Sequence, residues 1–308
     1  MKDLLAKTID LRAGKPEEKK EEIRDYFLKT WAIHELLYTQ LKSDEVFYMR
    51  GDPLRHILLF YLGHTAVFFI NKLYLARLID KRVNARFEST FAIGVDEMSW
   101  DDLDNNHYDW PPVSEVRAYR DEAKKVILNV IDNTPLELPI DWENPFWIVM
   151  MGIEHERIHL ETSSVLIRQL PLDQVVPGLF GERCPTIGEA PENELLPVAG
   201  AIVQLGKPRD YPLYGWDNEY GEHEEEVHDF AAAKYLTSNR EFLEFVEDGG
   251  YHTQSYWTEE GWNWRTYTNA EMPLFWRKVE GGYRLRLVAE EIGMPWSWPV
   301  EVNYLEAK

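Results

Sequence analysis

The chain has little of several features that mark other protein classes. Its single cysteine, Cys184, rules out an internal disulfide and favours a reducing compartment. The chain has only 33 basic residues and 54 acidic ones, and the net charge of −21 argues against a nucleic-acid partner. We find no run of about 18 apolar residues and no apolar signal core at the start. We therefore expect a cytoplasmic protein with no membrane partner.

The apolar content is nevertheless high. The length of 308 residues suggests one large or two ordinary domains, and hydrophobic residues make up 44% of the chain, enough for a packed core. Apolar side chains recur at three- and four-residue steps in four segments, which predicts four helices that could form a bundle. We place these helices at about residues 17–42, 52–79, 114–133 and 144–170.

After Pro171 the pattern changes to Pro- and Gly-rich sequence and then to short strands and turns. This change predicts an α+β multidomain protein: a helical bundle (residues 1–172), a linker (173–195) and a mixed α/β domain (196–308). In the last domain we expect strands at AIVQLG and EVHDFAAAKYL, a capped helix within TSNREFLEFVEDGGY and a hairpin around Gly281-Gly282.

The stretch GIEHERIHLETSS carries the chemistry. His155 and His159 lie four residues apart, so a helix would present both imidazoles on one face and to one ion. Burying two histidines is costly without a partner, which favours a metal site. Two structural histidines that only make hydrogen bonds remain the simpler alternative.

A third ligand should come from another helix. His64 lies on an apolar stripe of the second predicted helix, and a histidine there is often a satisfied core residue. His34 lies on the apolar face of the first helix and is a genuine competitor. His56, about 80° around the helix from His64, is a weaker candidate. Spacing alone does not choose between His64 and His34.

The same stretch reads HExxH, the zinc-peptidase spacing, in which Glu156 would be the general base. Three features count against a peptidase. Arg157 puts a charge inside the motif, no Gly-x-x-His extension follows His159, and a helical bundle precedes the motif instead of a strand-rich cleft.

Glu161 would complete a two-histidine, one-carboxylate iron site. However, it lies about 200° around the helix from His159. We therefore expect it near the ligands, or in a salt bridge, but not bound to the ion.

Taken together, several motifs resemble the sulfoxide synthases of thiohistidine biosynthesis, and in particular the ovothiol-type 5-histidylcysteine sulfoxide synthases. The resemblance covers nearly the whole chain and is carried by LGHTAVFFINKL, FAIGVDEMSWDDL, EHERIHLETSSVLIRQLP and GWDNEYGEHEEEVHDFAAAKYLTSNREFLEFVEDGGY.

This resemblance implies a DinB-like four-helix domain followed by a domain similar to formylglycine-generating enzyme. It implies a mononuclear non-haem iron(II) held by His64, His155 and His159, and so it selects His64 over His34. The implied partners are L-cysteine, L-histidine and dioxygen. The implied reaction joins the cysteine sulfur to carbon 5 of histidine and leaves the sulfur as a sulfoxide.

Two departures separate the chain from the related ergothioneine-type enzymes. Those enzymes carry a glutamine before the last iron histidine, where this chain has Ile158, and an arginine-rich segment where it reads VDEMSWDDL. Both departures favour the ovothiol type. The ergothioneine type and a non-catalytic metal-binding bundle remain as alternatives.

The chain ends at PVEVNYLEAK, which resembles the beginning of a helix. We therefore expect that the second domain is partial and that the family's catalytic tyrosine lies beyond the last residue. On this expectation the chain binds iron but is a poor or inactive catalyst. The sequence does not indicate the oligomeric state.

Overall fold

A computed structural model describes residues 4, 6–92, 108–177 and 183–308. The described chain forms two compact units, Met1–Gly181 with Lys207–Gly221, and Glu182–Gly206 with Glu222–Lys308. The first unit is helical and the second is mixed, which confirms the predicted α+β class. The predicted domain boundaries at residues 172 and 196 stay a prediction.

Five helices form the frame of the first unit: α1 (Pro16–Tyr38), α2 (Leu58–Leu75), α3 (Ala85–Thr90), α4 (Val113–Asn133) and α5 (Pro145–Gln169). Helix α2 packs on α4 and α5, and α1 packs on α5 and α4. The four long helices are those expected from the periodicity. The short helix α3, which begins after Asn84, was not predicted.

Helix α2 begins later than predicted. Asp52 does not cap the helix, because its carboxylate accepts a hydrogen bond from the backbone N–H of Leu54 at 2.7 Å and stabilises a separate turn. Ile57 is still extended, and the helix begins at Leu58. It ends at Leu75, since Arg77 adopts a left-handed conformation with φ of 58°.

Helix α5 shows why the local prediction succeeds elsewhere. The Asn144 side chain accepts a hydrogen bond from the Phe146 N–H, and Pro145 occupies the first turn, where it needs no donor. The helix ends before Pro171. Its 25 residues carry both histidines of the HExxH motif.

Among the described residues, one helix, α2, is long and apolar enough to cross a membrane by length and composition. However, 72% of it is buried inside the protein. Such burial is typical of the central helix of a bundle.

A return segment of the chain belongs to the helical unit. Within Lys207–Gly221, the backbone carbonyl of Pro212 accepts a hydrogen bond from Leu11, and the buried ring of Tyr214 lies 4.9 Å from that of Trp147 on α5. The helical unit is therefore discontinuous in sequence.

The described part of the second unit contains seven strands and three helices. The strands form three small antiparallel sheets. Strand β1 (Leu195–Val198) pairs with β4 (Phe230–Ala233), and β2 (Ala201–Leu205) pairs with β3 (His223–Val227). The remaining elements are α6 (Asn239–Glu247), α7 (Glu259–Thr268), β5 (Trp276–Val279), β6 (Gly282–Arg286), β7 (Glu291–Gly293) and α8 (Tyr304–Ala307).

Three local predictions in this unit are confirmed, among them the strand at AIVQLG, which is β2, and one is corrected. Ser238 and Glu241 form a capping box at the start of α6, and β5 and β6 form the hairpin at Gly281-Gly282. The single strand expected at EVHDFAAAKYL is instead two strands. The break falls at His228-Asp229, where Asp229 accepts a hydrogen bond from the Gly200 N–H.

Candidate metal centre

Three buried histidines converge between α2 and α5. The Nε2 atom of His155 lies 3.2 Å from the Nε2 of His64 and 3.2 Å from the Nε2 of His159. In the described part of the chain, these three residues form the group of side chains that could hold a metal ion, with ligand atoms within 4.8 Å of one another. The structure thus brings together the three predicted ligands.

The spacing of the three nitrogens fits one ion. Two imidazole nitrogens bound at about 2.1 Å and about 90–110° apart are separated by about 3.0–3.4 Å, which includes the observed 3.2 Å. Three donors from one side of an ion leave its other coordination positions open. The arrangement can therefore hold a metal and still accept further ligands.

His64 has a defined tautomer. Its Nδ1 lies 2.7 Å from the backbone carbonyl oxygen of Phe91, and because that oxygen can only accept, Nδ1 carries the proton. The lone pair of Nε2 then points toward the other two histidines. A hydrogen bond on the far nitrogen is the usual device that orients a metal-binding histidine.

Aromatic rings hold two of the imidazoles in place. The Phe68 ring stacks on His155, with centroids 3.7 Å apart and planes 10° apart, and the Phe60 ring stacks on His64. These contacts limit rotation of the imidazoles. They also make the surroundings of the site apolar.

Two of the three histidines, His155 and His159, are neutral in this environment. Burial, reinforced by His64, lowers the pKa of His159 to about 3, and burial with the neighbouring histidines holds the pKa of His155 well below its usual range. Metal binding requires the neutral imidazole. His155 and His159 therefore need no deprotonation near neutral pH before a metal binds.

Glu156 does not occupy the position of a peptidase base. It is fully buried, and its Oε1 accepts hydrogen bonds from Arg120 at 3.1 Å and from Thr65 at 3.5 Å. Burial raises the pKa of Glu156 to about 7, although Arg120 opposes the shift. The carboxylate thus serves a buried ion pair with α4.

We predict that the zinc-loaded chain does not cleave casein, and that Glu156→Gln changes nothing in that assay. The reason is that the carboxylate is bound to Arg120 and so is not free to act on a zinc-bound water. Cleavage is measured by release of acid-soluble peptides, with thermolysin as the positive control. Casein cleavage that disappears in Glu156→Gln would restore the peptidase interpretation.

The two competing histidines lie elsewhere. His34 is fully buried on α1, where its Nδ1 lies 3.7 Å from Oε1 of Glu156, and it does not belong to the three-histidine group. His56 precedes α2, and its ring stacks on Phe60 at 4.3 Å. The structure therefore groups His64, and neither His34 nor His56, with His155 and His159.

The side chain of Glu161 is exposed, and in the part of the chain that the structure describes no ion pair involves it. It does not belong to the three-histidine group either. Its role beside the ligands stays a prediction. The motif VDEMSWDDL falls on residues 95–103, which lie outside the described residues.

Sequence reasoning missed Arg120 and Phe91. Arg120 lies on the apolar stripe of α4 with Val116, Ala123 and Ile127, so a charged residue at a buried position was the available signal. Phe91 acts through its backbone carbonyl, which has no sequence signature.

Part of the helical unit is similar to known proteins. Residues 21–163 match the DinB superfamily, so the helical unit contains a DinB-like domain. The chain is 30% identical over 203 residues to a hercynine oxygenase of Mycolicibacterium smegmatis, an alignment that covers 64% of this chain and 44% of that protein.

Two fungal proteins are also similar, and both are named ergothioneine biosynthesis protein 1. The protein of Neurospora crassa is 23% identical over 236 residues, which cover 70% of this chain and 26% of that protein. The protein of Schizosaccharomyces pombe is 22% identical over 316 residues, which cover 91% of this chain and 38% of that protein. The chain therefore spans less than half the length of each of these three relatives.

Proposed function

We propose that this chain acts as a non-haem iron(II) sulfoxide synthase that joins L-cysteine to carbon 5 of L-histidine with dioxygen. The observation that carries the proposal is the convergence of three imidazole Nε2 atoms on a DinB-like bundle. The similarity to hercynine oxygenases supports the same class of oxidative chemistry.

His64, His155 and His159 would hold the iron. When bound there, iron(II) would supply the activation of dioxygen and a position for a thiolate sulfur. A set of three neutral donors with no carboxylate keeps the charge of the ion uncompensated, which favours an anionic thiolate as a further ligand.

The protein's own residues have three tasks in this proposal. The hydrogen bond to the Phe91 carbonyl orients His64, and the Phe68 ring orients His155. Burial of all three histidines excludes bulk water from their side of the ion. The substrates would then be held together on the remaining side, where correct orientation supplies much of the rate.

We infer the ovothiol type from Ile158. This residue precedes His159 on α5, and its side chain is 42% exposed, so it offers an apolar surface and no hydrogen bond to a substrate. The ergothioneine type agrees equally well with the relatives. We also propose that the second unit is formylglycine-generating-enzyme-like and that the protein is cytoplasmic.

The reaction can be tested with the iron(II)-loaded chain at stoichiometric concentration, with cysteine, oxygen and either histidine or hercynine. Single-turnover conditions detect product even from a slow catalyst. We expect mass spectrometry to find the histidine–cysteine sulfoxide, and less product from hercynine. Coupling to histidine should fail without oxygen and in His159→Ala.

Faster coupling to hercynine would favour the ergothioneine type. Iron binding without product from either substrate would support the alternative of a non-catalytic metal-binding bundle. These two outcomes are separated by measuring bound iron in the same samples.

A further inference from the structure

A buried arginine lies at the centre of the helical unit and is not one of the metal ligands. Arg120 on α4 is 1% exposed, and its guanidinium plane lies 4.2 Å over the ring of Trp31 on α1. An ionised side chain at such a depth is costly unless it is fully paired. The contacts of Arg120 therefore carry information about what it is for.

The guanidinium makes four hydrogen bonds that reach three helices. Nε donates to Glu35 on α1 at 2.6 Å. Nη1 donates to the Leu62 carbonyl oxygen and to Thr65 Oγ1 on α2, both at 2.8 Å. Nη2 donates to Glu156 Oε1 on α5 at 3.1 Å.

Three of these acceptors lie within two residues of a metal ligand in the sequence. Leu62 and Thr65 lie on either side of His64, and Glu156 directly follows His155. One rigid group is thus bonded to α2 beside its ligand and to α5 between its two ligands. Any sliding or rotation of α2 against α5 must lengthen at least one of these bonds.

We infer that Arg120 is the positioning residue of the metal centre, because it fixes α2 against α5 so that the three Nε2 atoms converge before an ion binds. This inference rests on the metal-binding part of the proposed function. Arginine suits the task because its planar fork presents five donors in a fixed geometry. Lysine has one ammonium group on a flexible stem and could not hold Leu62, Thr65 and Glu156 together.

The arrangement also explains the position of Glu156. The glutamate of the HExxH spacing is used here as the acceptor that ties α5 to Arg120. Glu35, on α1, accepts a hydrogen bond from Nε of the same guanidinium. The guanidinium therefore links two carboxylates that belong to different helices, α1 and α5.

The inference can be tested by cobalt(II) titration of the full chain, well below its melting temperature. The variant is Arg120→Met, which keeps much of the side-chain volume and removes every donor. The matched control is Ile127→Ala on the same buried stripe of α4, which destabilises the core without touching an acceptor near the ligands. Affinity is measured together with the visible absorption spectrum of bound cobalt.

We expect Arg120→Met to weaken cobalt binding by about 10- to 100-fold, the usual loss when a residue that orients metal ligands is removed, and to change the spectrum. Ile127→Ala should lower the melting temperature but leave the affinity within about threefold and the spectrum unchanged. A folded Arg120→Met that binds cobalt with wild-type affinity and spectrum would overturn the inference.

If Arg120→Met does not fold, Thr65→Val decides the matter. This nearly isosteric change removes one acceptor of Arg120 next to His64, and we expect a loss at the lower end of the same range, about tenfold. An unchanged affinity in a folded Thr65→Val would overturn the inference. A wild-type chain that binds no cobalt would overturn the metal site itself, and with it this inference, whereas weak binding only in the variants leaves the proposed function intact.

Discussion

Replacement of His155 or His159 by alanine should abolish tight iron(II) binding. Each variant removes one of three nitrogens that lie within 4.8 Å of one another, and two imidazoles cannot replace the third donor. Since loss of a residue that only orients a ligand weakens metal affinity by about 10- to 100-fold, loss of a ligand should exceed that range. Bound iron is measured by anaerobic titration and by metal analysis after gel filtration.

The controls use other histidines of the same chain. His64→Ala should behave like the first two variants, whereas His34→Ala should retain iron, because His34 lies beside Glu156 and outside the three-histidine group. His223→Ala, an exposed position in the second unit, should have no effect. If His64→Ala kept full affinity and His34→Ala lost it, the third ligand would be His34.

Replacement of Gly152 by alanine should destabilise the helical unit. A Cβ at this position would lie 2.1 Å from the Phe69 ring of α2, far inside contact distance. Alanine gains about 1 kcal/mol over glycine in helix propensity, but overpacking a core costs about 1–3 kcal/mol and occasionally more. We therefore expect a net loss of stability, visible as a lower midpoint in thermal or urea unfolding.

The same variant should weaken metal binding, because Gly152 is where α2 approaches α5 one turn before His155. Adding Phe69→Leu should recover part of the stability by making room for the new methyl group. Gly188→Ala is the control, since nothing lies within 4 Å of a Cβ built there. A Gly152→Ala protein as stable as wild type would show that α2 and α5 can separate without loss.

The sequence predicts the part of the site that lies on one helix, but not which helix packs against it. His155 and His159 lie on the same helix, so their i, i+4 spacing in the sequence is enough to predict that they lie on one face. The choice of His64 over His34 depends on which helix packs against α5, and residues such as Gly152 decide that through contacts distant in sequence. The resemblance to a family, and not the spacing, selected His64.

The sequence also does not predict which partners individual polar side chains contact. Glu156 has the sequence position of a catalytic base, but Arg120, 36 residues earlier, turns its carboxylate into a buried ion pair. In the same way, Asp52, where the second helix was expected to begin, stabilises a turn before the helix begins. Local patterns predicted the class of the long helices correctly, and distant partners determined what individual polar groups do.

The return segment has a consequence for how the molecule can be divided. Tyr214 lies 67 positions after Trp147, and strands β1 and β2 of the other unit lie between them in the sequence, yet the two rings are only 4.9 Å apart.

 A piece cut before Lys207 would keep all five helices of the first unit but would uncover the aromatic ring on which α5 begins. The units are therefore interleaved along the polypeptide, and neither can be excised or exchanged as one uninterrupted stretch. Any recombination that respects the folded boundaries must transfer the helical unit as two pieces.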